Sequence, residues 1–253
     1  MENRKDFWKN YWDSQAEKPL SDYEIDRGVS SDMEAAKQAS EDMTIGFVEH
    51  KATDVVFDAG CGTGVNLSRL GPGVRSLVGM DYSPGMIMRA RQRLANENVG
   101  NAGLLVGSIS HIPTKPGFFD KIVCISVLHY LNDEDCERAL REFARISRNG
   151  ALLVLHVKNL TSLYLSTLLL AKKFKQLLGK RANIEYYRPR KWYERKLSEL
   201  NMTLLDYHSD NILIVEFLPR SLARALGRFE RKYLKNRFFM KYGSDLILKV
   251  KIK

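Results

Sequence analysis

Between residues 53 and 158 the hydrophobic positions fall into short unbroken runs, and between those runs they recur every three or four residues. The runs are TDVVFDAG (53–60), SLVGMD (76–81), AGLLVGS (102–108), FDKIVCISVL (119–128) and ALLVLHVK (151–158). Runs of this length without polar alternation predict five strands buried on both faces. The stretches between them predict helices. VNLSRL leads into Gly-Pro-Gly, SPGMIMRARQRLANENVG opens with Ser83 as N-cap and Pro84 in its first turn, and DEDCERALREFARISRNG is amphipathic and closes at Gly150. Buried strands alternating with helices imply an α/β fold built on a parallel sheet covered on both faces.

The flanks follow another rhythm. Residues 1–50 predict helix, with Phe7, Trp8, Tyr11 and Trp12 clustered early. Residues 160–180 read as one helix with Leu163, Leu170, Phe174 and Leu177 on one stripe, and residues 188–201 as another that starts near Pro189. Residues 203–218 and 245–253 are expected as closing strands, with a basic helical segment over 218–243 between them. No repeat or low-complexity linker divides the chain. The expected organisation is one domain over residues 1–253: a helical cap (1–45), a core (46–157), and helices and closing strands that set substrate choice (158–253).

Composition narrows the class. A chain of 253 residues with 44% apolar content buries a good core. Cys61, Cys124 and Cys136 are scattered and odd in number, so neither a disulfide framework nor a zinc site is expected, and a reducing cytoplasmic setting fits. The opening MENRKDFWKN lacks the apolar core of a signal peptide. The run LTSLYLSTLLLA, bracketed by Lys158, Lys172 and Lys173, falls short of the roughly 20 residues that span a bilayer. Charge is lopsided. Residues 1–157 hold 18 basic and 22 acidic side chains, whereas residues 158–253 hold 22 and 8. A field of that shape suits an anionic partner, such as nucleic acid, a phosphorylated small molecule or an acidic lipid surface, and equally suits plain solubility.

Candidate chemistry sits at the strand ends. In VFDAGCGTGVN (56–66), Gly60, Gly62 and Gly64 follow an apolar run ending in Asp58, and about twenty residues on, LVGMDYS ends its strand in Asp81. Glycines let the backbone turn tightly and approach a ligand, and a carboxylate at the next strand end accepts two hydrogen bonds from a ribose diol. The dinucleotide fingerprint requires a third glycine where Val65 stands, and no Walker lysine is present. An acid beside the loop favours a ligand with an ammonium over one with a pyrophosphate.

In this order and spacing the residues resemble the class I S-adenosylmethionine-dependent methyltransferases, especially the UbiE-like (methyltransferase type 11) small-molecule branch. Asp58-Ala-Gly-Cys-Gly-Thr-Gly64 resembles the first motif, and Val78-Gly-Met-Asp-Tyr-Ser-Pro-Gly-Met86 the second. The third and fourth resemble the segment from Gly107 to His129, and Arg145–Gly150 resembles the following loop. The resemblance covers roughly residues 50–157. It implies a Rossmann-like, seven-stranded, mostly parallel sheet with helices on both faces and a helical cap, and S-adenosyl-L-methionine as cofactor. By the same resemblance Gly60, Cys61, Gly62 and Gly64 would line the methionine part with Asp58 near its ammonium, and Asp81 would hold the ribose. Tyr82 and Met86 would pack on the adenine, Ser108 and Ile109 would border its edge, and Ser126 would face the methionine. The family often places an acid where Ser108 stands, and its Pro-Gly-Gly turn is reduced here to Asn149-Gly150.

Methyl transfer requires alignment and exclusion of water, and a general base only for a protonated or weakly acidic acceptor. His129, Tyr130 and His156, at the ends of the fourth and fifth strands, are the candidate catalytic residues, with a structural role the alternative for each histidine. Tyr11, Trp12 and Tyr23 belong to a segment that in the family often folds over the cofactor. Nothing resembles N-P-P-Y, a Pro-Cys nucleophile or a metal-ligand cluster, so methylation of base amino groups, cysteine attack on pyrimidines and metal dependence are not expected. The partner ranked first is a small-molecule acceptor, anionic or amphiphilic (lipid-linked, phosphorylated, sugar or quinone-type), with peripheral contact to an acidic membrane surface. RNA, including tRNA, ranks second: Arg220, Arg224, Arg228, Arg231 and Lys235 share one helical face, with Leu222, Leu226, Phe229 and Tyr233 on the other, and Phe174, Tyr186, Tyr187, Trp192 and Tyr193 punctuate the first basic stretch. A non-catalytic cofactor-binding scaffold ranks third. Oligomeric state is left open by these residues.

Overall fold

A computed structural model of the chain describes residues 4–27, 34–162, 165–170, 185–210 and 236–253, with single positions between 222 and 229. The five apolar runs form β1 (Val55–Ala59), β2 (Ser76–Asp81), β3 (Ala102–Val106), β4 (Phe119–Ile125) and β5 (Ser147–Lys158). With β6 (Met202–Asp210) and β7 (Asp245–Ile252) they make one seven-stranded sheet in the order β3-β2-β1-β4-β5-β7-β6. The first five strands pair in parallel, and β7 lies antiparallel between β5 and β6. The sheet is Rossmann-like and mostly parallel, as the alternation of runs leads one to expect. Strand order reverses between β1 and β4, which places a crevice at their carboxyl ends.

Helices with both ends among the described residues are α1 (Arg4–Ala16), α2 (Asp22–Arg27), α3 (Glu34–Val48), α4 (Val65–Leu70), α5 (Pro84–Asn96), α6 (Asp133–Ile146), α7 (Arg190–Glu199) and α8 (Arg237–Met240). Successive strand residues face opposite layers, so Phe57, Ile122 and Leu153 join Phe143 of α6 and Tyr193 of α7 in one core. Val56, Val123 and Val154 join Val48, Leu67 and Ile87 of α3, α4 and α5 in the other. Both faces of the sheet are therefore sealed, which is why its strands read as continuous apolar runs.

The cap is fastened to α5. Asp13 Oδ1 accepts the Ser83 hydroxyl (2.5 Å) and the Gly85 N–H (3.1 Å), and Arg89 donates to the Ala16 carbonyl (2.7 Å) and to Asp22 (2.8 Å). A Cβ at Gly85 would stand 2.9 Å from that of Ala16, so the glycine lets α1 approach.

Three expectations change. α6 ends at Ile146, not Gly150, because Ser147 already pairs with Phe119, and the chain then bulges at Gly150 (φ 82°) before Leu152 pairs with Lys121. β4 stops at Ile125, and Leu128–Tyr130 form a tight turn instead of strand. Of the long helix expected over 160–180, residues 165–170 are helical; Leu163 and residues 171–184, with Lys172, Lys173, Phe174 and Leu177, lie outside the described residues. Arg220, Arg224, Arg231, Tyr233 and Lys235 and the expected strand portion 211–218 also lie outside them. No helix among the described residues is long and apolar enough to cross a membrane.

Candidate functional site

At the carboxyl ends of β1, β2, β4 and β5 opens a cavity of about 470 Å³. Its first wall is backbone. Gly60, Gly62 and Gly64 have φ of 81°, 52° and 82°, a region that costs residues with a Cβ about 1 kcal/mol or more. At Gly60 space demands glycine too, since a Cβ there would sit 2.2 Å from Val127 Cγ2. The loop is pinned where the Gly60 and Cys61 N–H groups donate to the Met80 carbonyl, at 2.7 and 3.0 Å. Gly62 N–H donates to Asp81 Oδ2 (3.0 Å), and Ser83 N–H to Asp81 Oδ1 (2.9 Å). One carboxylate thus joins the glycine loop to the start of α5. Burial raises the Asp81 pKa against these two donors.

Tyr82, Met86, Ser108 and Ile109 form the adjoining wall. Met86 and Ile109 are buried, Tyr82 stands at the rim, and the Ser108 and Ser110 hydroxyls share a hydrogen bond (2.8 Å). Ser126 lines the cavity at the end of β4 with a φ of 58° and donates its N–H to the His156 carbonyl (2.9 Å). A non-glycine residue in that conformation is uncommon and gathers at functional sites.

The far end is built of side chains. Trp8, Tyr11 and Trp12 of α1 close over it, and Tyr130 packs against Trp8 and Trp12 with centroids 4.4 and 5.8 Å apart. His129 is 4% exposed and its Nδ1 is sealed without a hydrogen-bond partner. Burial pushes its pKa down to about 3, and burial likewise pushes the Tyr130 phenol up. His156, 6% exposed, has Nε2 3.4 Å from Asp245 Oδ1, an ion pair only when the ring is protonated. Lys158 Nζ reaches the same Asp245 oxygen at 2.5 Å. Burial opposes the Asp245 charge, yet Lys158 and His156 hold its pKa well below the usual carboxylate range.

Of the residues singled out from the sequence, Gly60, Cys61, Gly62, Asp81, Tyr82, Met86, Ser108, Ile109, Ser126, His129, Tyr130 and His156 line this cavity together, with Tyr11 and Trp12. Asp58 and Gly64 stand behind its wall. Asp58 is 1% exposed beneath the loop, and Gly64 caps α4 against Ala90 of α5, whose Cα a Cβ would meet at 3.1 Å. The Tyr23 side chain lies outside the described residues. Burial raises the Cys124 and Cys136 thiols, the latter to about 12, as befits inert core groups.

Sequence reasoning missed Lys158, Glu185 and Asp245 as wall residues. It also missed Arg188, which it read as one cation among many on a basic stretch. Arg188 is 3% exposed behind the wall. It donates to the carbonyls of Leu128 (3.0 Å) and Leu131 (2.7 Å) and to Asp133 (2.8 Å), and its guanidinium lies 4.7 Å from the Trp192 ring centroid. It clamps the turn that carries His129 and Tyr130. Only the Pro189 that follows marks it in the sequence, and that fixes backbone shape, not burial.

Residues 56–150 match a family model described as "Methyltransferase domain". A protein of Encephalitozoon cuniculi is 31% identical over 132 residues, 51% of this chain and 57% of that protein. The chain spans between 25% and 57% of the length of eight curated relatives that it matches. Among solved structures, geranyl diphosphate C-methyltransferase of Streptomyces coelicolor A3(2), bound to Mg2+, geranyl diphosphate and S-adenosyl-L-homocysteine, superposes with a TM-score of 0.67 over 99% of this chain and 98% of that one, at 13% identity. A Haloferax volcanii protein seen in complex with the Trm112 methyltransferase activator gives 0.65 over 95% and 96%, at 18% identity. At such identities the likeness to these structures is one of fold.

Proposed function

We propose that this chain, which belongs by its residues 56–150 to the class I S-adenosylmethionine-dependent methyltransferases, uses the cavity to methylate a small-molecule acceptor. The observation that carries this reading is the joint between loop and carboxylate: Gly62 N–H on Asp81, beside a Gly60 that tolerates no side chain. That wall suits adenosine joined to an amino acid. Asp81 keeps acceptor capacity for ribose hydroxyls, and such donors would relieve its burial. Met86 and Ile109 offer apolar surface to a base, and the glycine backbone admits the amino-acid part without a Cβ in the way. When bound, the cofactor supplies a methyl group on a positively charged sulfur. Trp8, Trp12 and Tyr130 keep water from the reacting atoms, and the Arg188 clamp fixes the turn against which the acceptor lies.

Calorimetry with S-adenosylmethionine and S-adenosylhomocysteine tests the reading, with a nicotinamide dinucleotide as control. Micromolar binding of the first two and none of the third is expected; the reverse would overturn it. The basic end of the chain leaves RNA as the competing acceptor. Transfer to RNA whose affinity falls steeply between 50 and 200 mM salt would select that reading. Cofactor binding without transfer to any small molecule or RNA would instead select a scaffold.

A further inference from the structure

Resting on the methyl-transfer reading, we propose that the acceptor end of the cavity takes a neutral, polyhydroxylated small molecule, and that His156, oriented by Asp245, removes the proton from the hydroxyl that is methylated.

Charge on the wall is the first ground. Lys158 is bound to Asp245 (2.5 Å) and Lys9 to Asp13 (2.8 Å), while the Arg188 fork is engaged with carbonyls behind the turn. Glu41, Asp81, Asp135, Glu185 and Asp245 line the same space. A phosphate or carboxylate entering it would meet carboxylates in a low dielectric. An ammonium would find those at the acceptor end already engaged: Asp245 by Lys158, Asp135 by Arg138 (2.7 Å) and Glu185 by the Tyr187 hydroxyl (2.5 Å). The sequence alone favoured an anionic or amphiphilic acceptor; of the basic residues behind that expectation, Lys158 stands on this wall engaged with Asp245, and Lys172, Lys173, Arg220 and Arg224 lie outside the described residues.

Unmet hydrogen-bonding capacity is the second ground. His129 Nδ1, both ring nitrogens of His156 and Trp8 Nε1 are buried without hydrogen-bond partners, and all three residues line the cavity. Each such group costs about 1–3 kcal/mol until a partner arrives. Hydroxyls both donate and accept, so a polyol satisfies this mixed set where an apolar or purely accepting molecule does not. The Trp8, Trp12 and Tyr130 rings provide flat surface for its C–H face.

The third ground separates the candidate bases. An aliphatic hydroxyl must lose its proton as its oxygen is methylated. Asp245 stands 3.4 Å from His156, and Lys158, His129 and Glu185 are the other titratable groups gathered there on β5, the turn after β4 and the segment before α7. His129 has no carboxylate in comparable contact, and burial disfavours its protonation and the ionisation of Tyr130. The proton passes to a ring nitrogen of His156, whose cation Asp245 stabilises. The oxygen keeps the O–H pair and, joined by a methyl carbon from a sulfonium donor that keeps its C–S pair, ends as a neutral ether. His156 then returns its proton to water. Asp245 acts through His156 and is a positioning residue.

Methyl hexosides, the matching hexose phosphates and the matching hexosamines, offered with isotopically labelled S-adenosylmethionine, test the acceptor class. The same probes are titrated calorimetrically into the chain saturated with S-adenosylhomocysteine. Label and heat in the neutral arm are expected. Preference of about tenfold or more for a charged arm, or no transfer to any neutral probe, overturns the class. His156→Gln is expected to lower kcat on a neutral probe about 100-fold while S-adenosylhomocysteine still binds. Asp245→Asn is expected to lower kcat on a neutral probe about tenfold with acceptor KM and S-adenosylhomocysteine affinity unchanged; a purely structural role would move all three. Loss below tenfold in H156Q, or a D245N variant whose kcat is unchanged or whose KM and cofactor affinity shift with it, overturns the base. No heat with S-adenosylhomocysteine in the unaltered chain would mark failure of the methyl-transfer reading instead.

Discussion

The two ends of the cavity are made by different means. The loop end is backbone: three glycines in left-handed conformations, N–H groups aimed at Met80 and Asp81, all from residues 58–86. The acceptor end is side chain: Trp8, Tyr130, His156, Glu185 and Asp245, drawn from almost the whole length of the sequence. A backbone wall tolerates no change of residue but suits one ligand shape in many proteins. A side-chain wall can be rebuilt for each acceptor while the sheet beneath it stays the same.

Substitutions separate the two ends, and the largest effect is expected at the loop. Gly60→Val drives a Cβ into Val127 and should abolish cofactor binding by calorimetry, with Val127→Ala restoring part of it in the double variant. At the acceptor end the largest loss comes from behind the wall. Arg188→Met strands the Leu128 and Leu131 carbonyls and should cost about 2–4 kcal/mol in chemical denaturation, with cofactor affinity less affected than acceptor KM. Equal losses of both would show that the ends are not separable. His129 gives a pH signature. Its folded pKa is depressed to about 3 from 6.5, so the unfolded chain takes up a proton that the fold refuses. Stability should therefore fall as pH drops below 6.5, and His129→Gln should recover about 2 kcal/mol at pH 5 and nothing at pH 8. Asp13→Ala loosens the cap that both ends share, at about 1 kcal/mol, and should speed proteolysis within α1. Arg195→Ala, whose pair with Glu199 lies on the surface at 3.8 Å, should change stability by less than about 0.5 kcal/mol.

The same contrast explains what the sequence reveals. Glycines at 60, 62 and 64 and an acid at 81 are legible because backbone geometry restricts which residues fit there, and five buried strands are legible because a doubly covered sheet allows few polar positions. His129, Tyr130 and His156 were reachable from their places at strand ends. Asp245 was not, since an acid opening DLILKVKIK looks like any strand start until β7 inserts beside β5 and sets it across from Lys158. Arg188 was hidden for the opposite reason: it stands beside Arg190, half-buried over the Tyr207 ring, and the exposed Lys191, and only tertiary packing buries one of the three fully. The α6 boundary was misplaced because Gly150 signals a helix stop, and here it serves a bulge.

The insertion of β7 between β5 and β6 also dictates an order of assembly. On a ribosome β6 emerges about 35 residues before β7, the one strand it pairs with among the described residues. The glycine loop and Asp81 are complete long before that, and a nascent chain could already hold a nucleoside while its other half has no floor. Closure by β7 brings Asp245 to the cavity wall together with the hydrogen bonds to β5 and β6, and leaves β6 with a single open margin at the edge of the described sheet.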